Sequence, residues 1–220
     1  MIKIDKERKV WITSDTHYGH KNICRGVTNW RLPDGTIPED QTRDFRTIDE
    51  MNTTIVNNIN SMVGQDDVLI HLGDWSFGGF ENIKKFRDRI ICQEIHLILG
   101  NHDHHIERDR EGVRELFTSV SSYDRLTYKG ETFVLCHFPI QSWDSLNRGH
   151  IHLHGHVHLS NHLIFGRGKK MDVGVDGHPT FGVYDLDEVS KLMSKREILS
   201  DMITDHHLDE VITEDGKIRK

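Results

Sequence analysis

Residues 68–103 read VLIHLGDWSFGGFENIKKFRDRIICQEIHLILGNHD, and the order of parts within this stretch decides the fold. Val68 to Leu72 is a short apolar run closed by Gly73-Asp74, which reads as a buried strand. Gly78-Gly79 breaks the chain, and a helix is expected from about Phe80 to Asp88. Glu94 to Leu99 is a second apolar run, closed by Gly100-Asn101-His102-Asp103. Strand, helix and strand in this order form the unit of a parallel sheet, because a parallel return needs a crossover connection.

Toward the N-terminus the pattern repeats. Val10 to Ser14 is a strand candidate ending at Asp15-Thr16-His17. The polar stretch from about 20 to 42 holds Pro33-Asp34-Gly35 and Pro38 and reads as a long loop, with a lid or substrate-contacting role. A helix is expected from about Gln41 to Met62, on the spacing of Phe45, Ile48, Met51, Ile55, Ile59 and Met62, with Gly64 marking its end.

Toward the C-terminus the character changes. Val120–Tyr128 and Thr132–Cys136, separated by Lys129-Gly130-Glu131, read as a hairpin. Ile151–His154 is another strand, ending at Gly155-His156-Val157-His158. Weaker strands are expected near Leu163–Phe165, Met171–Val173 and Thr180–Tyr184, then a helix from Asp187 to Met193. The hairpins imply a second sheet packed on the first, with helices outside and the strand-end clusters on one rim. Residues 1–199 form one domain on this reading, with the loop at 20–42 as an insertion and 200–220 as a polar tail.

Composition agrees with a soluble globular protein: 35% of the 220 residues are hydrophobic and 29% charged. No apolar stretch approaches the ~18–20 residues of a membrane span, and the charged start, Met1 to Lys9, lacks a signal-peptide core. A cytoplasmic location is therefore expected. Cys24, Cys92 and Cys136 lack paired spacing and are expected as free thiols, with Cys92 and Cys136 in the core. The net charge of −7 weighs against a nucleic-acid polymer as partner, but leaves room for a small phosphorylated substrate, because bound cations supply positive field locally.

The strand-end clusters carry the chemistry. Asp15 and His17, two apart, offer a carboxylate and an imidazole on one side; Asp74 follows a glycine; Asn101, His102 and Asp103 offer three donors in a row; His137 closes a strand; His156 and His158 pair two imidazoles. Singly, each has an ordinary reading as a turn, a helix cap or a core histidine. Together they deliver oxygen and nitrogen ligands from several strand ends, as a two-metal hydrolytic site requires. The absence of cysteine disfavours a structural zinc knot, and the mixed donors suit Mn²⁺, Fe²⁺, Ni²⁺ or Zn²⁺.

In this order the motifs D-x-H, G-D, G-N-H-D, H and G-H-x-H resemble the calcineurin-like metallophosphoesterase superfamily, in particular a compact bacterial and phage branch. The resemblance covers about Val10 to Tyr184. It implies an α/β fold, a four-layer α-β-β-α sandwich of two mixed sheets flanked by helices. It implies two divalent metal ions, with manganese first among the candidates. Asp15, His17, Asp74 and His158 would hold one; Asp74, Asn101, His137 and His156 would hold the other, with Asp74 shared. It implies hydrolysis of a phosphomonoester or phosphodiester by a metal-bridging hydroxide, with His102 as general acid or as stabiliser of charge on the phosphoryl group, and Asp103 orienting it.

Outside the motifs, His20 and Asn22 are candidates for substrate contact, and Trp143 and Asn147 for the lining of a base or phosphate pocket. His150, His152 and His154 alternate with Ile151 and Leu153 and are expected as a polar sheet face. His104, His105 and the Arg167–Lys170 loop are expected in solvent. A nuclease and a non-catalytic scaffold are the competing readings. The acidic charge weighs against the first and the intact ligand set against the second.

Overall fold

A computed structural model describes residues 1–24, 43–158 and 167–199, together with the backbone of two short strands at 211–212 and 218–219. The first sheet is built from β2 (Val10–Thr13), β3 (Val68–His71), β4 (Glu94–Ile98), β5 (Ser119–Ser121) and β10 (Tyr184–Asp185), in the order β10-β2-β3-β4-β5. Strands β2 to β5 are parallel and β10 is antiparallel to β2. The second sheet runs β1-β6-β7-β8-β9, from β1 (Ile2–Lys3), β6 (Asp124–Tyr128), β7 (Glu131–Leu135), β8 (Ile151–His154) and β9 (Lys170–Asp172). β6 and β7 form the antiparallel hairpin, and the other pairs are parallel. β11 (Val211–Ile212) and β12 (Ile218–Arg219) pair with each other.

Alternation along the strands builds the layers. Ile12, Val68, Ile70 and Ile98 of the first sheet meet Leu126, Phe133, Leu135, Ile151, Leu153 and Met171 of the second in one apolar core. The opposite face of the first sheet, with Trp11, Leu69, Ile95 and Leu97, packs under α1 (Ile48–Met62) and α2 (Phe80–Arg89) through Met51, Ile55, Ile59, Ile83 and Phe86. The short α3 (His104–Glu107) follows β4, and α4 (Leu186–Ser194) buries Leu186, Val189 and Met193 against the inter-sheet core. The expected α/β architecture, two mixed sheets with flanking helices, is the one observed.

Several local expectations are corrected. The first helix begins at Ile48, not near Gln41: Thr47 Oγ1 accepts from the Glu50 amide at 3.1 Å, and Glu50 reaches back to the Arg46 amide. This Thr-x-x-Glu cap fixes the start, and Arg43 to Arg46 are not helical. The run 120–128 is not one strand. It divides at Ser122-Tyr123, and β5 completes the first sheet while β6 opens the second. Of Thr180–Tyr184 only Tyr184 enters a strand. His152 and His154 do not form a polar sheet face; both are buried within β8. Cys136 is half-buried and not a core residue, whereas Cys24 and Cys92 are buried. The strand near 163–165 and most of the 20–42 loop lie outside the described residues.

Candidate metal centre

Every parallel strand that leads into the site ends in a tight turn, and the turns are where the donors stand. Asp15, His17, Asp74, His156 and His158 all have positive φ, between 47° and 73°. For non-glycine residues this left-handed region costs on the order of 1 kcal/mol or more each and persists only where surrounding contacts over-determine it. Those contacts are visible. The Asp15 amide donates to Gly73 O at 3.0 Å, the His17 amide to Asp74 O at 2.9 Å, and the His156 amide to Asp15 Oδ2 at 2.9 Å. Glycine is required where these turns touch: a Cβ at Gly100 would overlap Asp74 Oδ1 and the Asp74 amide.

Asp74 lies at the centre. Its Oδ2 is 3.3 Å from His17 Nε2 and 3.6 Å from His137 Nε2, so one carboxylate oxygen faces two imidazoles from different strands. On one side, Asp15 Oδ1 is 3.8 Å from His17 Nε2 and 3.6 Å from His158 Nε2. On the other, Asn101 Oδ1 is 3.0 Å from His137 Nε2 and 2.9 Å from His156 Nδ1. The structure thus brings Asp15, His17, Asp74, Asn101, His137, His156 and His158 together. Donor atoms within 4.8 Å of one another recur as the groups Asp15–His17–His158 and Asp15–Asp74–His137.

The donor set fits cations. Asp15 Oδ1 is buried with no hydrogen-bond partner, an arrangement that costs free energy unless a bound group compensates it. Asp74 is pushed above the usual carboxylate range by burial, with His137 opposing and Asp15 adding repulsion. His17 is lowered by burial and by its neighbours His158 and Arg43, which keeps it a neutral donor. The outer hydrogen bonds also select the metal-facing nitrogens. His137 Nδ1–H donates to Leu72 O at 2.7 Å and His158 Nδ1–H to Asp176 Oδ2 at 2.8 Å, leaving Nε2 of each toward the centre.

Asp176 and Arg43 went unseen in the sequence. Arg43 is buried, grips Asp176 through two bonds of 2.8 and 2.7 Å, and donates to Asp15 O and Thr16 O. Burial pulls His158 down, but Asp176 and Asp15 outweigh it and carry it up to about 9. His71, also missed, ties two turns together. It accepts from the Gly73 amide, and its Nε2 meets Thr16 Oγ1 at 2.9 Å, while Thr16 donates to Trp75 O. Burial, then His137, lowers it to about 3.

Asp103 does not orient the His102 ring. Its Oδ2 accepts from the Asp74 and Gly100 amides, both at 2.8 Å, and its Oδ1 from the Trp75 amide at 3.0 Å. It is a clamp on the turns that carry Asp74 and Asn101, and burial raises it to about 7. The His102 amide donates to Asp74 Oδ1, and the half-buried ring stands edge-on to His17, 5.3 Å between centroids. That ring has no hydrogen-bond partner among the described residues. His20 joins the rim, with its Nδ1 3.3 Å from His17 Nδ1 and its ring stacked on Phe77.

Among the described residues, three candidates have no hydrogen bond to the donor cluster. Asn22 is exposed on the 3₁₀ turn Lys21–Ile23. Trp143 is a packing residue: its indole N–H donates to His150 O, and it is buried with Val134, Leu146 and Leu199 on the outer face of the second sheet. Asn147 is exposed on the adjoining 3₁₀ turn.

A paired donor set on the strand ends of a two-sheet α/β sandwich defines a class of metal-binding protein. Within that class the chain belongs to the calcineurin-like phosphoesterase family, whose model matches residues 8–209. It is 30% identical over 199 residues to an uncharacterised protein of Methanocaldococcus jannaschii, spanning 87% of this chain and 95% of that one. Its fold is that of a protein of unknown function from Aquifex aeolicus, with a TM-score of 0.59 and 20% identity, covering 84% of this chain and all of the other. A structure described as a novel archaeal phosphodiesterase matches with a TM-score of 0.47 and 16% identity, over 82% of this chain and 94% of the other. Among the described residues no helix is long and apolar enough to cross a membrane.

Proposed function

We propose that this protein is a dinuclear metal-dependent phosphoesterase that hydrolyses a small phosphomonoester or phosphodiester, a nucleotide among the candidates. The observation that carries the reading is the position of Asp74, one oxygen between His17 and His137, beside the orphaned Asp15 Oδ1. Asp15, His17, Asp74 and His158 would hold one ion, and Asp74, Asn101, His137 and His156 the other, with manganese first among Mn, Fe, Ni and Zn. Bound divalent ions supply Lewis-acid charge for the phosphoryl oxygens and activate the attacking water.

The chain's own groups supply the rest. His102 delivers a proton to the departing alcohol oxygen, which matters most for basic alcohols. Asp103 holds the Asp74 and Asn101 turns, and Asp176 with Arg43 fixes His158. His20 lies where it can touch substrate. A small phosphorylated substrate in the cytoplasm, rather than a nucleic-acid polymer, accords with the net charge of −7 and the thiols of Cys92 and Cys136.

The test supplies Mn²⁺ and compares an aryl phosphate monoester with the corresponding diester, alongside metal analysis of the purified protein. About two ions per chain and turnover of one ester type are expected. A metal-loaded protein inert on both esters and on nucleotides would sink the proposal.

A further inference from the structure

A cavity of about 270 Å³ opens beside His102, its walls including Phe77, Gly79, Ile83, His102, His105 and Ile106. His102 belongs to two places at once. Its donor atom lies within 4.8 Å of those of His17 and Asp74, and its ring lines this cavity. A phosphoryl group held at the metal centre would direct its departing oxygen to His102 and the remainder of the alcohol into the cavity.

The walls describe what that remainder is. Phe77 is 42% exposed, one of a handful of large apolar side chains facing solvent among the described residues. Isolated exposed apolar residues are common, but this ring is held in place. His20 stacks on it at 4.2 Å with the planes 6° apart, and His102 stands 5.8 Å away. Ile83 and Ile106 are buried and close the cavity with aliphatic surface. Gly79 presents bare backbone at φ 80°, with the His105 ring packed across it. No Lys or Arg lines the cavity, which disfavours a second phosphate or carboxylate. A cleft with a fixed aromatic wall, two isoleucines and an edge of polar side chains that includes Ser76, His104 and His105 suits a flat ring with hydrogen-bonding edges.

We infer that this cavity is the leaving-group subsite, that it takes a nucleoside, and that Phe77 sets the specificity by stacking on the base. The inference rests on the phosphoesterase reading above and deepens it. Stacking on an aromatic side chain tolerates any base, because every base has a π-face.

The experiment uses the Mn²⁺-loaded protein and esters matched in their reacting oxygen. A nucleoside 5′-monophosphate is compared with glycerol phosphate, and a dinucleoside phosphate with a glycerophosphodiester. For the ester type that is cleaved, KM for the nucleoside substrate should be about tenfold lower. Phe77→Ala should erase that advantage with kcat nearly unchanged and leave the glycerol ester unaffected, and Phe77→Trp should retain it. Ile91→Ala, an exposed apolar change on the C-terminal side of α2, should alter neither substrate. Equal KM for the two esters, or a Phe77→Ala effect shared by both, would overturn the inference while leaving the phosphoesterase reading intact. If the loaded protein cleaves nothing, that reading fails instead. Saturation-transfer NMR with free adenosine then decides the cavity alone. Binding lost in Phe77→Ala supports it, and absence of binding to the unmodified protein overturns it.

Discussion

Histidines 150, 152, 154, 156 and 158 alternate in one unbroken run, yet the run divides at Gly155. Before it, His152 and His154 sit inside β8, buried, with burial lowering them to about 4 and about 3. After it, His156 and His158 stand at φ 73° and 50° beside Asn101 and Asp15. The residue type and period are the same on both sides. Inside the strand the pleat fixes the side chain and the sheet surrounds it. Past the strand end, the left-handed turns reaim the two imidazoles, His156 toward Asn101 and His158 toward Asp15. On the proposed reading, a histidine becomes a ligand here by where the strand stops.

The strongest way to break this comparison is to remove the shared donor on the rim and a histidine within the strand, and compare. Asp74→Asn should cut turnover by about 10²-fold or more and lower the bound metal below two ions per chain. His152→Leu should leave turnover per folded molecule unchanged, because its Nδ1 faces Val134 O and its Nε2 faces either Phe138 O or the Ile140 amide, none of them a group of the donor cluster. It should cost about 1–3 kcal/mol in urea unfolding, from polar groups left unpaired. Equal loss of turnover in both variants would erase the distinction between rim and strand.

His102→Ala tests a residue that is on the rim yet assigned to neither ion. Turnover should fall by roughly 10²-fold on esters of basic alcohols, and by less on an aryl ester whose phenolate leaves without help. Metal stoichiometry should stay at about two. If metal is lost as well, His102 is a ligand, an outcome its closeness to His17 and Asp74 makes worth measuring.

The strand ends were legible because short apolar runs closed by glycine leave few alternatives, and each such run carried its donors at the exit. The clamp behind the donors was not. Arg43 and Asp176 lie 133 positions apart, and neither belongs to a local pattern that announces a partner. Asp103 was legible as a site residue but not in its duty, since a carboxylate next to His102 gives no sign that three amides elsewhere claim both oxygens. The positive φ at Asp15, His17, Asp74, His156 and His158 was hidden for a related reason. Left-handed turns are foreseen from glycine, and here the candidate donor side chains occupy them. The start of α1, by contrast, was written in Thr47-x-x-Glu50 and lost to the stronger appeal of apolar spacing at Phe45.

Asp176→Asn probes the clamp. His158 keeps a hydrogen-bond partner but loses the charge behind it, so metal affinity should fall by about 10–100-fold. Saturating Mn²⁺ should restore most of the turnover, and a chelator titration separates this from a folding defect. Unchanged affinity would mean that Asp176 serves only its ion pair with Arg43.

The mildest prediction concerns the strand alone and is read on metal-free protein. Burial lowers His152 to about 4, with the Val134 and Phe138 carbonyls opposing, while the unfolded chain titrates near ~6.5. Below that pH the unfolded state takes up a proton that the folded state refuses, so stability falls as pH drops toward the folded value. Between about pH 7.5 and pH 5.5 this single group should remove on the order of 1 kcal/mol. Other buried histidines titrate in the same window, so the quantity to measure is a difference. The gap in unfolding free energy between the unmodified protein and His152→Leu should narrow by that amount on acidification. A gap independent of pH would mean that the folded and unfolded chains take up the His152 proton equally, and that the contrast across Gly155 is one of position without a contrast of charge.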